Sequence, residues 1–224
     1  MNTKDDMDAL ILAAGRGERL GMGPKAFVNL GGKTLLDMVL TKARAMAHRV
    51  LVGYPPGGEE AVRPYADAGV ILLAGGATRQ ETIRILMERS NADLLLVLDA
   101  ARPLASSRLM RSVADQARRH GAAVACLRPV VPALLPEGDW LRSTLGRSQY
   151  LLPQSPQAYR RETLQRIYGF LDAGGQVFQT THEAAVRAGV PVRLVEGEAL
   201  NIKITTPADL VHAQALLSLL ESSE

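Results

Sequence analysis

The stretch from Leu10 to Lys25 constrains this chain more than any other. It belongs to an unbroken apolar run, Ala9 to Ala14, that gives way to a turn carrying Gly15, Gly17, Gly21 and Gly23, with Arg16, Arg19 and Lys25 in or beside it. A short apolar run without alternation reads as a strand buried on both faces. Such strands belong to parallel sheets, whose strands are joined by crossovers, usually helices. Ligands of open α/β sheets sit at the carboxyl ends of the strands. Glycines there let backbone N–H groups approach an anion, and neighbouring cations neutralise it. We read the turn as a phosphate-binding loop; the competing reading is a tight turn with solvated arginines.

The rest of the chain alternates strands with helices. Leu35, Leu36, Val39, Leu40 and Ala43 predict a helix over Thr34 to Ala47. Val50 to Val52 and Val70 to Leu73 read as strands, and the Gly75-Gly76 turn leads into a helix from Arg79 to Arg89. Leu94 to Leu98 is the clearest central strand. A serine-capped helix over Ser106 to His120 stops at Gly121, and a strand over Ala122 to Leu127 follows. Helices are expected at Arg160 to Leu171 and Glu183 to Ala188, and short strands at Val192 to Val195 and Ile202 to Ile204. A final helix runs from Pro207 to about Leu217, with Thr206 as N-cap. The pattern predicts an α/β fold: one domain over residues 7–220, Rossmann-like, with a mostly parallel sheet and helices on both faces. Pro129, Pro132, Pro136, Pro153 and Pro156 interrupt it. A structureless loop of that length is uncommon inside a domain. Residues 129–153 are therefore read as a protruding arm that packs Val130, Val131, Leu134, Leu135, Leu151 and Leu152 on a second subunit.

Several function classes fall away. With Lys plus Arg at 26 and Asp plus Glu at 23, the net charge of +3 is too mild for a nucleic-acid partner. The one cysteine, Cys126, lies in an apolar strand and reads as core. No apolar run approaches the ~20 residues of a membrane span, and Met1 to Met7 has no apolar leader core, so a cytoplasmic location is expected. The dinucleotide fingerprint needs glycine where Leu20 stands, and a P-loop ending at Gly32-Lys33-Thr34 needs glycine at Phe27. His182-Glu183 is no zinc motif, because Val186 stands where its second histidine belongs.

Five segments in order carry a resemblance. They are Ala13-Ala-Gly-x-Gly-x-Arg-Leu with Gly-Pro-Lys25, Gly75-Gly-Ala-Thr-Arg-Gln-Glu-Thr82, Leu96-Val-Leu-Asp-Ala-Ala-Arg-Pro103, Ser155-Pro-Gln-Ala-Tyr159 and Asn201-Ile-Lys-Ile-Thr-Thr-Pro-Ala-Asp-Leu210. Together they are similar to the signature of the 2-C-methyl-D-erythritol 4-phosphate cytidylyltransferase family and its ribitol-phosphate relatives. The resemblance implies that the phosphate of a polyol phosphate attacks the α-phosphorus of CTP, pyrophosphate leaves and a CDP-polyol forms. An anionic nucleophile needs no general base, so positioning and charge neutralisation suffice. The resemblance implies Arg19, Lys25 and Lys203 as catalytic cations. It implies Ala13, Ala14, Gly15, Arg16 and Gly17 at the triphosphate and base edge, and Gly76 and Thr82 at the cytosine. It further implies Arg147 and Thr181 on the acceptor side, with Thr181 preceding a helix and Arg147 reaching a neighbouring subunit of a homodimer. Arg102, three residues after Asp99, is read as acceptor-binding, with pairing to Asp99 as the alternative. Mg2+ would bridge the CTP phosphates. Asp99, at the end of the central strand, is read as part of the nucleotide site; an Asx turn is the alternative.

The acceptor half departs from the family pattern. Arg128-Pro129-Val130 stands where relatives often have Arg-Asp-Thr, Thr181-His182-Glu183 where they have Thr-Asp-Glu, and Leu98 where a histidine is usual. A cytidylyltransferase for another polyol phosphate, such as ribitol 5-phosphate, and a catalytically silent nucleotide-binding relative remain open as alternatives.

Overall fold

The structure is a computed structural model describing residues 6–174 and 178–221. Residues 1–5 of the Met1 to Met7 segment, read above as lacking an apolar leader core, lie outside them. From the N-terminus, β1 (Met7–Leu12) is followed by a small ribbon of β2 (Asn29–Leu30) and β3 (Lys33–Thr34), then α1 (Leu35–Arg44), β4 (Arg49–Tyr54), a single turn α2 (Glu59–Val62) and β5 (Val70–Ala74). Next come α3 (Arg79–Arg89), β6 (Leu94–Asp99), α4 (Ser107–His120) and β7 (Ala122–Leu127). The second half holds β8 (Ala133–Glu137), β9 (Trp140–Leu145), β10 (Leu152–Arg160), α5 (Arg161–Gly174), α6 (Thr181–Arg187), β11 (Arg193–Glu196) and α7 (Pro207–Glu221).

Seven strands form one sheet in the order β11-β7-β10-β6-β1-β4-β5. Neighbours run parallel except β10, which is antiparallel to both β6 and β7. The chain leaves β1 toward β4 and returns on its other side as β6, so the boundary between β1 and β6 is a switch point, where a crevice opens beyond the strand ends. Two apolar layers cover the sheet. Leu36, Val39 and Leu40 of α1 and Leu109 and Val113 of α4 pack on one face. Ile83 and Leu86 of α3, Leu164 and Ile167 of α5 and Ala184 of α6 pack on the other. A third, smaller cluster joins Leu20, Val28, Leu30 and Leu35 to Leu104, Ile204 and Ala213.

The helix starts follow from their caps. The Thr34 hydroxyl accepts from the Asp37 N–H and the Asp37 carboxylate accepts from the Thr34 N–H; Thr78 and Glu81 repeat this at α3. Ser106 caps α4, and Gly121 ends it at a φ of 89°.

Two expectations need correction. Ile202 to Ile204 is not a strand. Its hydrogen bonds are isolated ones, such as Ile204 N–H to the Ala101 carbonyl at 2.8 Å, and its apolar character comes from Ile204 anchoring in the third cluster. The segment from Leu152 onward is sheet rather than arm, so Pro153 and Pro156 lie inside β10. A register shift between Pro153 and Gln157 interrupts its pairing with β7, which is how a strand with neighbours on both sides tolerates prolines. Among the described residues the β8–β9 hairpin pairs only with itself, and its side chains are almost all exposed.

A polar pin closes the sheet at the end away from the crevice. Asp8 is fully buried in β1; its carboxylate accepts from Arg49 Nη2 at 2.7 Å and from Ser90 Oγ at 2.6 Å. Arg49→Met leaves a buried carboxylate without its cation and should lower the free energy of unfolding by about 3–5 kcal/mol. Urea titration checks this, with Asp8→Asn/Arg49→Met expected to recover part of the loss.

Candidate functional site

The crevice at the switch point is a cleft of about 800 Å3. One wall is the glycine turn. Gly17 has a φ of 76°, and a Cβ there would strike the Gly23 carbonyl, so the turn closes only with glycine. The Gly17 carbonyl accepts from the N–H groups of Leu20 and Gly21 at 2.9 and 3.0 Å. None of the turn's internal hydrogen bonds uses the N–H of Gly15, Arg16 or Gly17, which leaves these donors for a ligand.

A second wall is the turn before α3. The buried Thr82 hydroxyl accepts from Gly76 N–H at 3.1 Å and donates to the Thr78 carbonyl at 3.0 Å. It is therefore a strut that shapes the loop, and the backbone of Gly76 and Ala77 is what lines the cleft beside it. Gly75 is required here too: a Cβ would lie 2.8 Å from the Ala14 Cβ.

The floor is charged. Asp99, at the end of β6, is largely buried and meets Lys203 Nζ at 3.1 Å and Arg79 Nη2 at 3.3 Å. Burial alone would raise its pKa, but the cations Arg79 and Lys203 outweigh it and hold the carboxyl below its ordinary value. The turn that follows is closed by its backbone carbonyl, which accepts from Arg102 N–H at 3.0 Å, so the side chain is left to the cations rather than to an Asx turn. Lys25 is shifted down, first by partial burial and then by repulsion from Arg19 and Lys203. Arg16, Arg19, Lys25, Arg79 and Lys203 thus line one cleft with only Glu18 and Asp99 against them.

The structure gathers Ala13, Ala14, Gly15, Arg16, Gly17, Arg19, Lys25, Gly76, Thr82, Asp99 and Lys203 around this cleft. Three expected residues stand apart from its lining. Arg102 donates to the backbone carbonyls of Asn201 at 2.6 Å and Pro153 at 3.4 Å, so it fastens the loop before Lys203 to β10. Arg147 is exposed in the turn after β9. Thr181 does not precede α6 but is its first residue; Thr180 is the N-cap, and Thr181 is fully buried. Arg79 was absent from the expected set, although it occupies the arginine position of the Gly75–Thr82 motif and projects into the cleft from the first turn of α3.

Among the described residues, no cluster of three or more His, Cys, Asp or Glu side chains is placed to hold a metal ion. The cleft's two carboxylates do not make a cage, and Asp99 already serves two cations. A hard divalent cation fits here only when carried by substrate phosphates. No helix among them is long and apolar enough to cross a membrane.

Free backbone donors, convergent cations and no acid–base pair suit the transfer of a phosphorus group to a nucleophile that is already an anion. With this sheet order, the class is nucleotidyltransferase. The sequence pattern of the family described as IspD, 2-C-methyl-D-erythritol 4-phosphate cytidylyltransferase, matches residues 7–219, and the chain belongs to that family. A relative from Thermus thermophilus with this name is 42% identical over 212 residues, covering 94% of this chain and 97% of its own. One from Deinococcus radiodurans is 37% identical, covering 93% and 88%. The crystal structure of a Thermus thermophilus cytidylyltransferase of that name superposes with a TM-score of 0.82 at 38% identity, covering 93% of this chain and 97% of that one.

The depressed pKa of Lys25 has a measurable consequence. An anion in the cleft favours protonated Lys25, so affinity for inorganic triphosphate should fall as pH rises through the lowered lysine value. Lys25→Arg keeps its charge and should move that alkaline limb to higher pH. Calorimetric titration from pH 7 to 10 compares the two.

Proposed function

We propose that the protein transfers CMP from CTP to 2-C-methyl-D-erythritol 4-phosphate, giving CDP-methylerythritol and pyrophosphate. Family membership names the reaction, and the single observation that carries it to this cleft is the convergence of Arg19, Lys25 and Lys203, close enough that Lys25 is destabilised by the other two. Such a set is poised for a polyanion. The triphosphate lies on the N–H groups of Gly15 to Gly17, and the cytosine edge faces the backbone at Gly76. A phosphate oxygen of the acceptor attacks the α-phosphorus, the bond to the β-phosphate oxygen breaks, and pyrophosphate leaves with the electron pair. Arg19, Lys25 and Lys203 stabilise the charge on the five-coordinate phosphorus. Arg102 holds the Lys203 loop, and Thr181 and Arg147 serve the acceptor. Mg2+ enters on the CTP phosphates, and the enzyme works in the cytoplasm.

Pyrophosphate release with Mg2+ and methylerythritol phosphate tests this. Turnover with CTP should exceed that with ATP or GTP by at least ~10²-fold, because a pocket of fixed backbone donors and acceptors rejects a base whose edge leaves them unpaired. Equal use of ATP would overturn the assignment.

The same proposal includes a homodimer built on the hairpin arm. Val130 and Trp140 are 83% and 81% exposed, and Val131, Leu134 and Leu141 are exposed beside them. A self-paired hairpin with this much apolar surface is suited to a partner subunit, which brings Arg147 to the neighbouring acceptor site. Sedimentation at micromolar concentration should show a dimer. Leu134→Asp/Trp140→Ser should yield a folded monomer with turnover reduced by at least ~10-fold, the scale of losing a charged contact to the acceptor.

A further inference from the structure

Thr181, expected on the acceptor side, has its hydroxyl turned into the protein. It is fully buried. Its hydroxyl proton goes to Gln80 Oε1 at 3.2 Å, and its oxygen accepts from Arg79 Nη1 at 3.2 Å. Gln80 is fixed in turn by the Tyr168 hydroxyl, which donates to its backbone carbonyl at 2.8 Å. A hydroxyl has one proton to give, and this one is committed inside the protein.

The group that reaches the cleft from this cluster is the Arg79 guanidinium. One nitrogen is anchored on Thr181 and another on Asp99, so it spans α6 and the end of β6. Its remaining N–H groups have no hydrogen-bond partner among the described residues. Arginine keeps its charge at any working pH and offers a planar fork that matches two oxygens of a phosphate. It lines the same cleft as the glycine turn, where the nucleotide's phosphates are proposed to lie.

We propose that Arg79 is the side chain of this subunit that binds the phosphate of the acceptor, and that Thr181 and Gln80 are positioning residues acting through it. The inference rests on the cytidylyltransferase reading and deepens it: Thr181 serves the acceptor by aiming Arg79, and Asp99 holds the guanidinium from its other end.

The test measures KM for methylerythritol phosphate and for CTP separately in Arg79→Lys, Arg79→Met, Thr181→Val and Arg79→Met/Thr181→Val. Thermal midpoints verify folding. Arg79→Lys keeps the charge and loses the fork; it should raise KM for the acceptor by about 10-fold or more, with KM for CTP within about twofold. Arg79→Met should raise it further. Thr181→Val should raise it in the presence of Arg79 and add little once Arg79 is methionine, because both act through one contact. Equal effects of Thr181→Val in both backgrounds, or an unchanged acceptor KM in Arg79→Met, would overturn the proposal. Calorimetric binding of methylerythritol phosphate, beside a CTP analogue with a non-cleavable α,β-bridge, separates this from the reaction itself. Binding that depends on Arg79 without turnover in the unmutated protein would sink the proposed transfer and sustain the Arg79 site; turnover with Arg79-independent binding would do the reverse.

Discussion

Holding like charges together in one cleft is the constraint around which this site is organised. Arg19, Lys25 and Lys203 come from two distant parts of the chain, and Coulomb's law opposes their meeting. Two unit charges ~8 Å apart near a protein surface repel by roughly 2 kcal/mol. Each of these cations follows or precedes a buried apolar residue: Arg19 adjoins Leu20, Lys25 adjoins Ala26 and Lys203 adjoins Ile204. Leu20 and Ile204 share the small cluster that also holds Val28, Leu30, Leu104 and Ala213. Burying one Leu or Ile side chain contributes about 1.5–3 kcal/mol, enough to offset the repulsion of its charged neighbour. Hydrophobic burial of these neighbours therefore supplies free energy that holds the charges at the cleft.

A second device places Lys203, whose segment has no strand ladder to fix it. Asn201 is fully buried and donates to the Ser155 carbonyl at 2.7 Å, while its own carbonyl accepts from Arg102 and from Gln154 Nε2. Gln154 also bonds Glu198 through both its amide oxygen and nitrogen. Ser155 Oγ accepts from the Asp99 N–H at 2.9 Å. The irregular stretch of β10 thus presents side-chain hydrogen bonds where a regular strand would present backbone ones, and they fasten the Lys203 loop and the Asp99 turn to one another. The bulge that accommodates Pro156 and the seat of the Lys203 loop are one local structure.

These arrangements explain what the sequence disclosed and what it hid. The helix from about Arg79 to Arg89 was readable because the Gly75-Gly76 turn announces it, and the structure adds the Thr78–Glu81 capping box at its start. β10 was hidden because Pro153, Gln154, Ser155 and Pro156 disguise a buried strand: its polar side chains are inside, bonded to loops far away in sequence. Ile202 and Ile204 imitated a strand because anchoring and pairing both select apolar residues. The cleft residues next to glycines were legible from motif spacing. Arg79 and the buried state of Thr181 were not, since a hydrogen bond between residues 102 positions apart leaves no local trace. The arginine of the Gly75–Thr82 motif was the one available signal, because the first turn of a helix opening on a strand-end crevice faces the ligand.

The departure at His182 acquires a physical meaning in this setting. The family pattern that this chain resembles has aspartate there, an anion next to Thr181. His182 is half-buried, and its pKa is pushed down by burial and then by the Arg79 guanidinium, so it is neutral at physiological pH. The Gln157 amide nitrogen lies 3.4 Å from its Nδ1, and donation to that atom places the ring proton on Nε2. A neutral ring in place of a carboxylate removes one negative charge from the surroundings of Arg79. Less of the guanidinium's charge is then compensated within the protein, and more is available to an anion in the cleft. On the arm the change is the opposite: Val130 presents no hydrogen-bond donor where a threonine hydroxyl is usual. If Arg79 binds the acceptor as proposed, the two substitutions together would shift acceptor affinity from a hydroxyl on the arm toward the guanidinium on α3.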